Sequence, residues 1–156
     1  MNKQEALDKI TDNKPVAVAD VLWRPEEGER YWYVGSNGEV FHSIWLNDQI
    51  DFVRYDFSSI HKTIEQAKQA LKKQLAKMRI LRRIAELNDG WVPDWGDRDQ
   101  RKYLIGRCNL VRGDQTVYWF CSIKDYDDGF YMKTLEMRDM VLEELRDDYK
   151  TMWGIE

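Results

Sequence analysis

The chain has 156 residues, of which 43% are hydrophobic, 33% charged and 13% aromatic, and its formal net charge is −4. This composition is typical of a folded protein and excludes a disordered chain. The negative net charge argues against a protein that binds nucleic acid through its overall charge. The sequence contains no apolar run near the ~20 residues of a membrane span, and its polar first residues predict no signal peptide. We therefore expect a cytoplasmic protein without a membrane partner.

Residues 1–22 are predicted to form a short N-terminal helix and a lead-in. The helix is expected from Gln4 to Ile10, where the apolar residues recur at helical spacing. The turn residues Asp12–Pro15 end it.

Residues 23–90 are predicted to form a first module of sheet and helix. An aromatic strand at residues 31–35 is followed by Asn37-Gly38, the strongest short signal for a hairpin. Pairing through this turn places Trp32 opposite Ser43 and Val34 opposite Phe41. One face of the hairpin then holds Trp32, Val34, Phe41 and Trp45, and the other holds Tyr31, Tyr33, Val40, His42 and Ile44.

A third strand of this module is predicted from Ile50 to Phe57, after an Asn47-Asp48 turn. A long helix then begins near Thr63, which forms a capping box with Gln66. Its apolar residues recur every three or four positions, and Asn88-Asp89-Gly90 ends it, with Gly90 suited to a left-handed conformation.

Residues 91–156 are predicted to repeat the plan as a second module, and the two modules to form one cooperative unit. A hairpin is expected from strands at 102–110 and 116–123, then a short strand at 130–132. Thr134 is the predicted N-cap of a helix that runs to about Tyr149.

The duplication rests on a phrase that occurs twice. Lys62-Thr63-Ile64-Glu65 recurs as Lys133-Thr134-Leu135-Glu136, and each copy precedes a helix. The predicted fold is therefore α+β, with two tandem repeats of a three-stranded antiparallel sheet followed by a helix, plus the N-terminal helix. The duplicated sheets are expected to pair within the chain or across a homodimer.

These phrases resemble a widespread group of small bacteriophage and prophage accessory proteins. The resemblance rests on the entry at 23–29, the Tyr31-Trp32-Tyr33 strand, the helix start at 62–65 and the segment 88–95. The chain departs from the group at His61, where Phe is common, and at Gln66, where Glu is common. The resemblance implies a phage or prophage accessory protein in a bacterial cytoplasm, and it carries no active-site residue.

The first long helix is locally basic, and its stripe of Lys68, Lys72, Arg79 and Arg83 is a candidate binding site for phosphates. The second helix is acidic. Opposite charge on the two helices also fits an ion-paired contact within the chain or in a dimer, or an ordinary solvated surface, or a surface for a partner protein.

Tyr31, Tyr33 and Tyr118 are a second candidate site, because exposed rings on strands stack with the bases of single-stranded nucleic acid. Aromatic residues on strands more often pack across the sheet. His42 and His61 have no ligand partner at a metal-binding spacing, so no metal site and no cofactor are predicted. Cys108 and Cys121 lie on neighbouring predicted strands, and we expect reduced thiols there, although a disulfide is conceivable.

The sequence shows no nucleophile, phosphate-loop or zinc signature. Our first hypothesis is therefore a non-enzymatic accessory protein that binds another protein, such as a host or defence factor. The second is a nucleic-acid-binding protein that uses the basic helix at 62–83. The third is a protein that binds a small molecule or a nucleotide in a pocket between the modules.

Overall fold

The fold is described from a computed structural model, which defines residues 23–57, 59–106 and 129–155. The chain forms two compact units, Met1–Gln69 and Ala70–Glu156. The predicted N-terminal helix, most of the predicted second hairpin, Cys108, Tyr118 and Cys121 lie outside the described residues. The module boundaries at 22 and 90 stay predictions.

The first unit contains a hairpin of β1, Arg30–Val34, and β2, Val40–Ile44. Its register differs by one residue from the prediction, because Tyr31 pairs with Ser43 and Tyr33 with Phe41. The loop is longer than a two-residue turn: the Gly35 amide donates to the Glu39 carbonyl over 2.8 Å. Gly38 takes a φ of 78°, as in a three-residue hairpin with glycine in the left-handed position. The predicted division of the faces is therefore wrong.

The predicted strand from Ile50 to Phe57 is also wrong, because this segment is helix α1, Gln49–Asp56. Asp48 is its N-cap, and its carboxylate accepts a hydrogen bond from the Asp51 amide over 2.8 Å. The third strand of the sheet is instead β3, Ile60–His61, which pairs with Trp32 and Tyr33 of β1. The strand order is β2-β1-β3.

The predicted pair of three-stranded sheets is contradicted, although the described residues are α+β. They form one three-stranded antiparallel sheet and three helices. Where the second module was expected to form a sheet, the described part of the chain has a single antiparallel bridge between Tyr103 and Met132. The repeated phrase thus marks two helix starts, and a helix start does not require a sheet before it.

Helix α2, Ile64–Asn88, begins and ends where the sequence indicates. Its capping box is present: the Gln66 amide donates to Thr63 Oγ1, and the Thr63 amide donates to Gln66 Oε1, each over 3.2 Å. Gly90 follows the helix with a φ of 80°. The prediction of this helix is confirmed at both ends.

In the second unit, α2 from residue 70 onward packs beside α3, Leu135–Trp153. The Thr134 cap is confirmed, because its Oγ1 accepts from the Met137 amide over 3.2 Å, and the helix continues one turn beyond the predicted end at Tyr149. The buried core of this unit consists of Ile80, Ile84, Ile105, Met132, Val141 and Tyr149. Among the described helices, none combines the length and the apolar composition that crossing a bilayer requires.

Candidate protein-binding surface

One side of α1 packs into the first unit. The Trp45 ring, which is fully buried, contacts the Phe52 ring at 5.5 Å and the Tyr55 ring at 6.3 Å between centroids. Asp51 lies on the same side and is 2% exposed. This side therefore holds the helix against the hairpin.

The opposite side of α1 is apolar and exposed. Ile50, Val53 and Phe57 recur at spacings of three and four, which places them on one helical face, and Leu46 lies two residues before the N-cap Asp48. The exposed fractions of Leu46, Ile50, Val53 and Phe57 are 63%, 59%, 46% and 79%. We name these four residues the α1 apolar face.

An apolar face of a helix is normally covered by another part of the protein or by a partner. With roughly 200 Å² for a large apolar side chain, the exposed fractions of the α1 apolar face add to about 500 Å². An apolar area of this size is in the range of the largest patch on a typical monomeric protein, and such a patch is often functional. What this surface offers chemically is burial of aliphatic and aromatic groups.

A buried polar network fixes α1 to β1. The Tyr31 hydroxyl donates to Asp51 Oδ1 over 2.7 Å, and the Leu46 amide donates to Asp51 Oδ2 over 2.7 Å. Arg54 donates to the Tyr31 hydroxyl over 2.7 Å, and its guanidinium lies 3.8 Å from the centre of the Tyr33 ring. Because Asp51 and Arg54 point inward, α1 has only one orientation that satisfies them, and that orientation turns the apolar face outward.

The network shifts the pKa of two of its groups. Burial of Asp51 alone would raise its pKa, but hydrogen bonds from Tyr31 and from backbone amides, with the charge of Arg54, lower the pKa below 3.8. Burial, and then the hydrogen bond to Asp51, raises the pKa of Tyr31 above 10.0. The folded state thus favours an ionised Asp51 and a neutral Tyr31.

The pH dependence of the first unit follows from these directions. Because the pKa of Asp51 is lower in the folded chain, its ionised carboxylate stabilises the fold above pH 3.8. This contribution is lost as the pH falls through the folded pKa of Asp51. A raised tyrosine pKa means that stability falls as pH rises above 10.0. Hydrogen exchange of the β1 amides across pH, corrected for intrinsic exchange, measures both limits. Asp51→Asn should remove the loss of β1 amide protection at low pH. The same loss of protection at low pH in that variant would contradict the assignment to Asp51.

The surroundings of the α1 apolar face are acidic. Residues 23–29 and 46–57 contain six carboxylates against the two arginines Arg24 and Arg54. Four of the carboxylates are exposed, namely Glu26, Glu27, Asp48 and Asp56. The Asn47 side-chain nitrogen donates to Glu27 Oε2 over 3.2 Å, which places this carboxylate next to the residue that follows Leu46. An apolar surface with an acidic border suits a ligand whose apolar residues are flanked by cations.

The four residues of the predicted basic stripe fall into two ion-paired arginines and two lysines without an ion pair among the described residues. Arg79 pairs with Asp148, and Arg83 pairs with Glu144 through Nε at 2.6 Å and through its terminal nitrogen at 2.9 Å. These bonds join α2 to α3 within the second unit, which is the intramolecular alternative that the opposite charges allowed. Lys68 and Lys72 are exposed and have no ion pair among the described residues. The stripe is therefore not a row of four available cations.

A charge-swap experiment tests this helix pairing. Arg83→Glu should lower the unfolding midpoint slightly, because it places two carboxylates where a bidentate pair stood. Adding Glu144→Arg should recover most of the loss, since the pair is restored in reverse. Urea denaturation at low and high salt measures both effects. A double variant that shows only the sum of the two single losses would argue against a direct pair.

Two of the three residues of the predicted aromatic site, Tyr31 and Tyr33, lie within the first unit, and the third, Tyr118, lies outside the described residues. Tyr31 is fully buried, so its ring has no free face for a base. Tyr33 is half-buried, with Arg54 over its ring and the Phe41 ring stacked at 5.8 Å. Both rings are used in packing α1 and β2 against β1.

Sequence reasoning missed the α1 apolar face because it assigned residues 50–57 to a strand. The available signal was Asp48, three residues before Asp51, which is typical of a helix N-cap. With helical spacing after that cap, Ile50, Val53 and Phe57 then fall on one side. Their exposure has no signature in the sequence.

The described residues contain no group of three or more His, Cys, Asp or Glu side chains that could hold a metal ion. Comparisons with protein families, with curated proteins and with solved structures gave no match.

Proposed function

We propose that the protein is a non-enzymatic accessory protein that acts by binding another protein through the α1 apolar face. The observation that carries this proposal is the exposure of Ile50, Val53 and Phe57 on a helix that is already anchored on its other side, with exposed Leu46 just before that helix. The resemblance to phage and prophage proteins supports a host or phage protein as the partner.

The partner element that fits is an amphipathic helix whose apolar stripe is flanked by Lys or Arg. The length of α1, eight residues, suits two to three turns of a facing helix packed along it. The exposed carboxylates at both ends of α1, Asp48 and Asp56, would meet the flanking cations.

A second copy of the chain fits this face less well. In an isologous contact the same acidic border would face itself, and like charges repel. The face also supplies about 500 Å², whereas a standard interface buries ~800 Å² on each partner. The small area suits a short helical element, and the charge argument favours one of opposite charge.

Site-specific photo-crosslinking tests the occupant directly. A photoreactive amino acid replaces Val53 in the full chain, and a synthetic amphipathic helical peptide with Lys flanks is the probe. We expect a crosslink to the peptide that is lost when excess unlabelled peptide competes. A crosslink to a second copy, or to residues 1–22 of the same chain, that persists at saturating peptide would overturn the proposal. The same reactive group at Leu75, an exposed apolar residue of α2, is the matched control.

A further inference from the structure

The second unit contains a cleft that is separate from the α1 apolar face. Its volume is about 540 Å³, which is within the range of small-molecule sites. It lies between residues 91–103 and the first turn of α3. Its walls include two aromatic residues, Trp91 and Tyr103, and two cations, Arg101 and Lys133.

The walls of the cleft are held together through Asn88. Its carbonyl accepts from the Trp91 amide over 2.9 Å, its side-chain oxygen accepts from the Lys133 amide over 3.2 Å, and its side-chain nitrogen donates to the Tyr131 carbonyl over 2.7 Å. The end of α2 is thereby tied to both sides of the cleft. The backbone of the cleft walls is therefore held in place in the free protein, which lowers the free-energy cost of ordering these walls on binding.

The backbone around Tyr103 and Arg101 is held in place by contacts that do not involve Asn88. Tyr103 exchanges two backbone hydrogen bonds with Met132, over 3.0 and 2.7 Å. Lys102 is fully buried, and its ammonium donates to the carbonyls of Asp97 and Gln100 over 3.1 and 2.9 Å. The backbone on both sides of Arg101 is therefore fixed, although its own side chain is exposed.

The two cations of the cleft are not used elsewhere in the described part of the chain. Neither Arg101 nor Lys133 has an ion pair or a side-chain hydrogen bond there. Glu136 also lines the cleft and is likewise exposed. The lining thus joins two planar rings, two available cations and a carboxylate that can accept hydrogen bonds from hydroxyl groups.

From this combination we infer that the cleft binds a mononucleotide. A base is a planar ring that stacks on Trp or Tyr, and a 5′-phosphate is a dianion that Arg and Lys bind. The ribose hydroxyls are donors that suit the Glu136 carboxylate. This site does not depend on the protein-binding function proposed above.

Calorimetric titration of the full chain tests the site, with adenosine 5′-monophosphate and uridine 5′-monophosphate as probes. Two controls each carry one part of the nucleotide: adenosine, which lacks the phosphate, and inorganic phosphate, which lacks the base. We expect a nucleotide to bind more tightly than either component. Absence of binding at millimolar nucleotide, or adenosine binding as tightly as its monophosphate, would overturn the inference.

Two double variants locate the binding. Arg101→Glu with Lys133→Glu should weaken nucleotide binding by about tenfold for each cation, as expected when a charge-assisted hydrogen bond is lost. Lys68→Glu with Lys72→Glu is the matched control, because it changes the net charge equally at exposed, unpaired lysines. Equal weakening in both variants would overturn the inference. As a second readout, the Trp91 indole N–H resonance should shift most among the tryptophans, and a largest shift at another tryptophan would contradict the site.

Discussion

Replacing Ile50 and Phe57 together by glutamine should weaken binding of a Lys-flanked amphipathic peptide by at least about 100-fold. Burial of one large apolar side chain contributes about 2 kcal/mol, and each 1.4 kcal/mol corresponds to about tenfold in affinity. Both side chains are more than half exposed in the free protein. The double variant should therefore fold with an unfolding free energy close to that of the original chain. Fluorescence anisotropy of a labelled peptide measures the affinity.

The matched control for this experiment is Leu75→Gln with Met78→Gln. These two residues are exposed apolar side chains of α2, at 47% and 39%, and lie outside the α1 apolar face. Their replacement removes a comparable number of apolar groups and leaves the charge unchanged. Equal loss of affinity in both double variants would indicate nonspecific hydrophobic adsorption of the peptide and would count against the proposed surface.

Asp51→Ala is expected to give the largest loss of stability in the first unit, about 3 kcal/mol. The carboxylate accepts from the Tyr31 hydroxyl and the Leu46 amide, each over 2.7 Å. Its removal leaves two inward-facing donors without that acceptor, at a cost of about 1–3 kcal/mol for each. It also removes the anion opposite Arg54.

Hydrogen exchange of the β1 amides measures this effect locally, and urea denaturation measures it for the chain. Asp56→Ala is the control, because Asp56 is exposed on the same helix and should change stability by less than about 0.5 kcal/mol. Tyr31→Phe keeps the ring and removes the donor, so its loss should be smaller than that of Asp51→Ala. Indistinguishable exchange in Asp51→Ala and the original chain would contradict the role of the network.

The helices were predictable where their ends carry side-chain chemistry. Thr63 with Gln66, and Thr134, satisfy free amides at the first turns of α2 and α3, and such caps act over three residues along the sequence. Gly90 likewise ends α2 through its own backbone freedom. Local signals of this kind need no knowledge of the rest of the fold.

The sheet was less predictable, because strand pairing depends on contacts that are distant in sequence. The Asn37-Gly38 pair indicated a hairpin, but the three-residue loop shifted the register by one and moved Phe41 to the Tyr33 side. Residues 50–57 are rich in β-branched and aromatic types, which favour strands. In the folded chain, the Asp48 cap and the buried Asp51 outweigh that preference.

The candidate surface was the least predictable feature. Apolar residues at helical spacing normally indicate the buried side of a helix. In α1 the buried side is instead set by Asp51 and its partner Tyr31, a polar contact that joins positions 20 residues apart. The basic stripe was the opposite case, because its candidate residues were clear in the sequence but two of them are not available for a ligand. Arg79 and Arg83 form ion pairs with carboxylates of α3.

The most direct test of the protein-binding function compares two peptides on the unmodified chain. Both form the same amphipathic helix with the same apolar stripe, but one carries Lys at the flanking positions and the other carries Glu. We predict that the Lys peptide binds more tightly, and that its advantage shrinks as salt rises, because the exposed carboxylates around α1 are screened. Equal affinity of the two peptides, or no binding by either, would contradict the account.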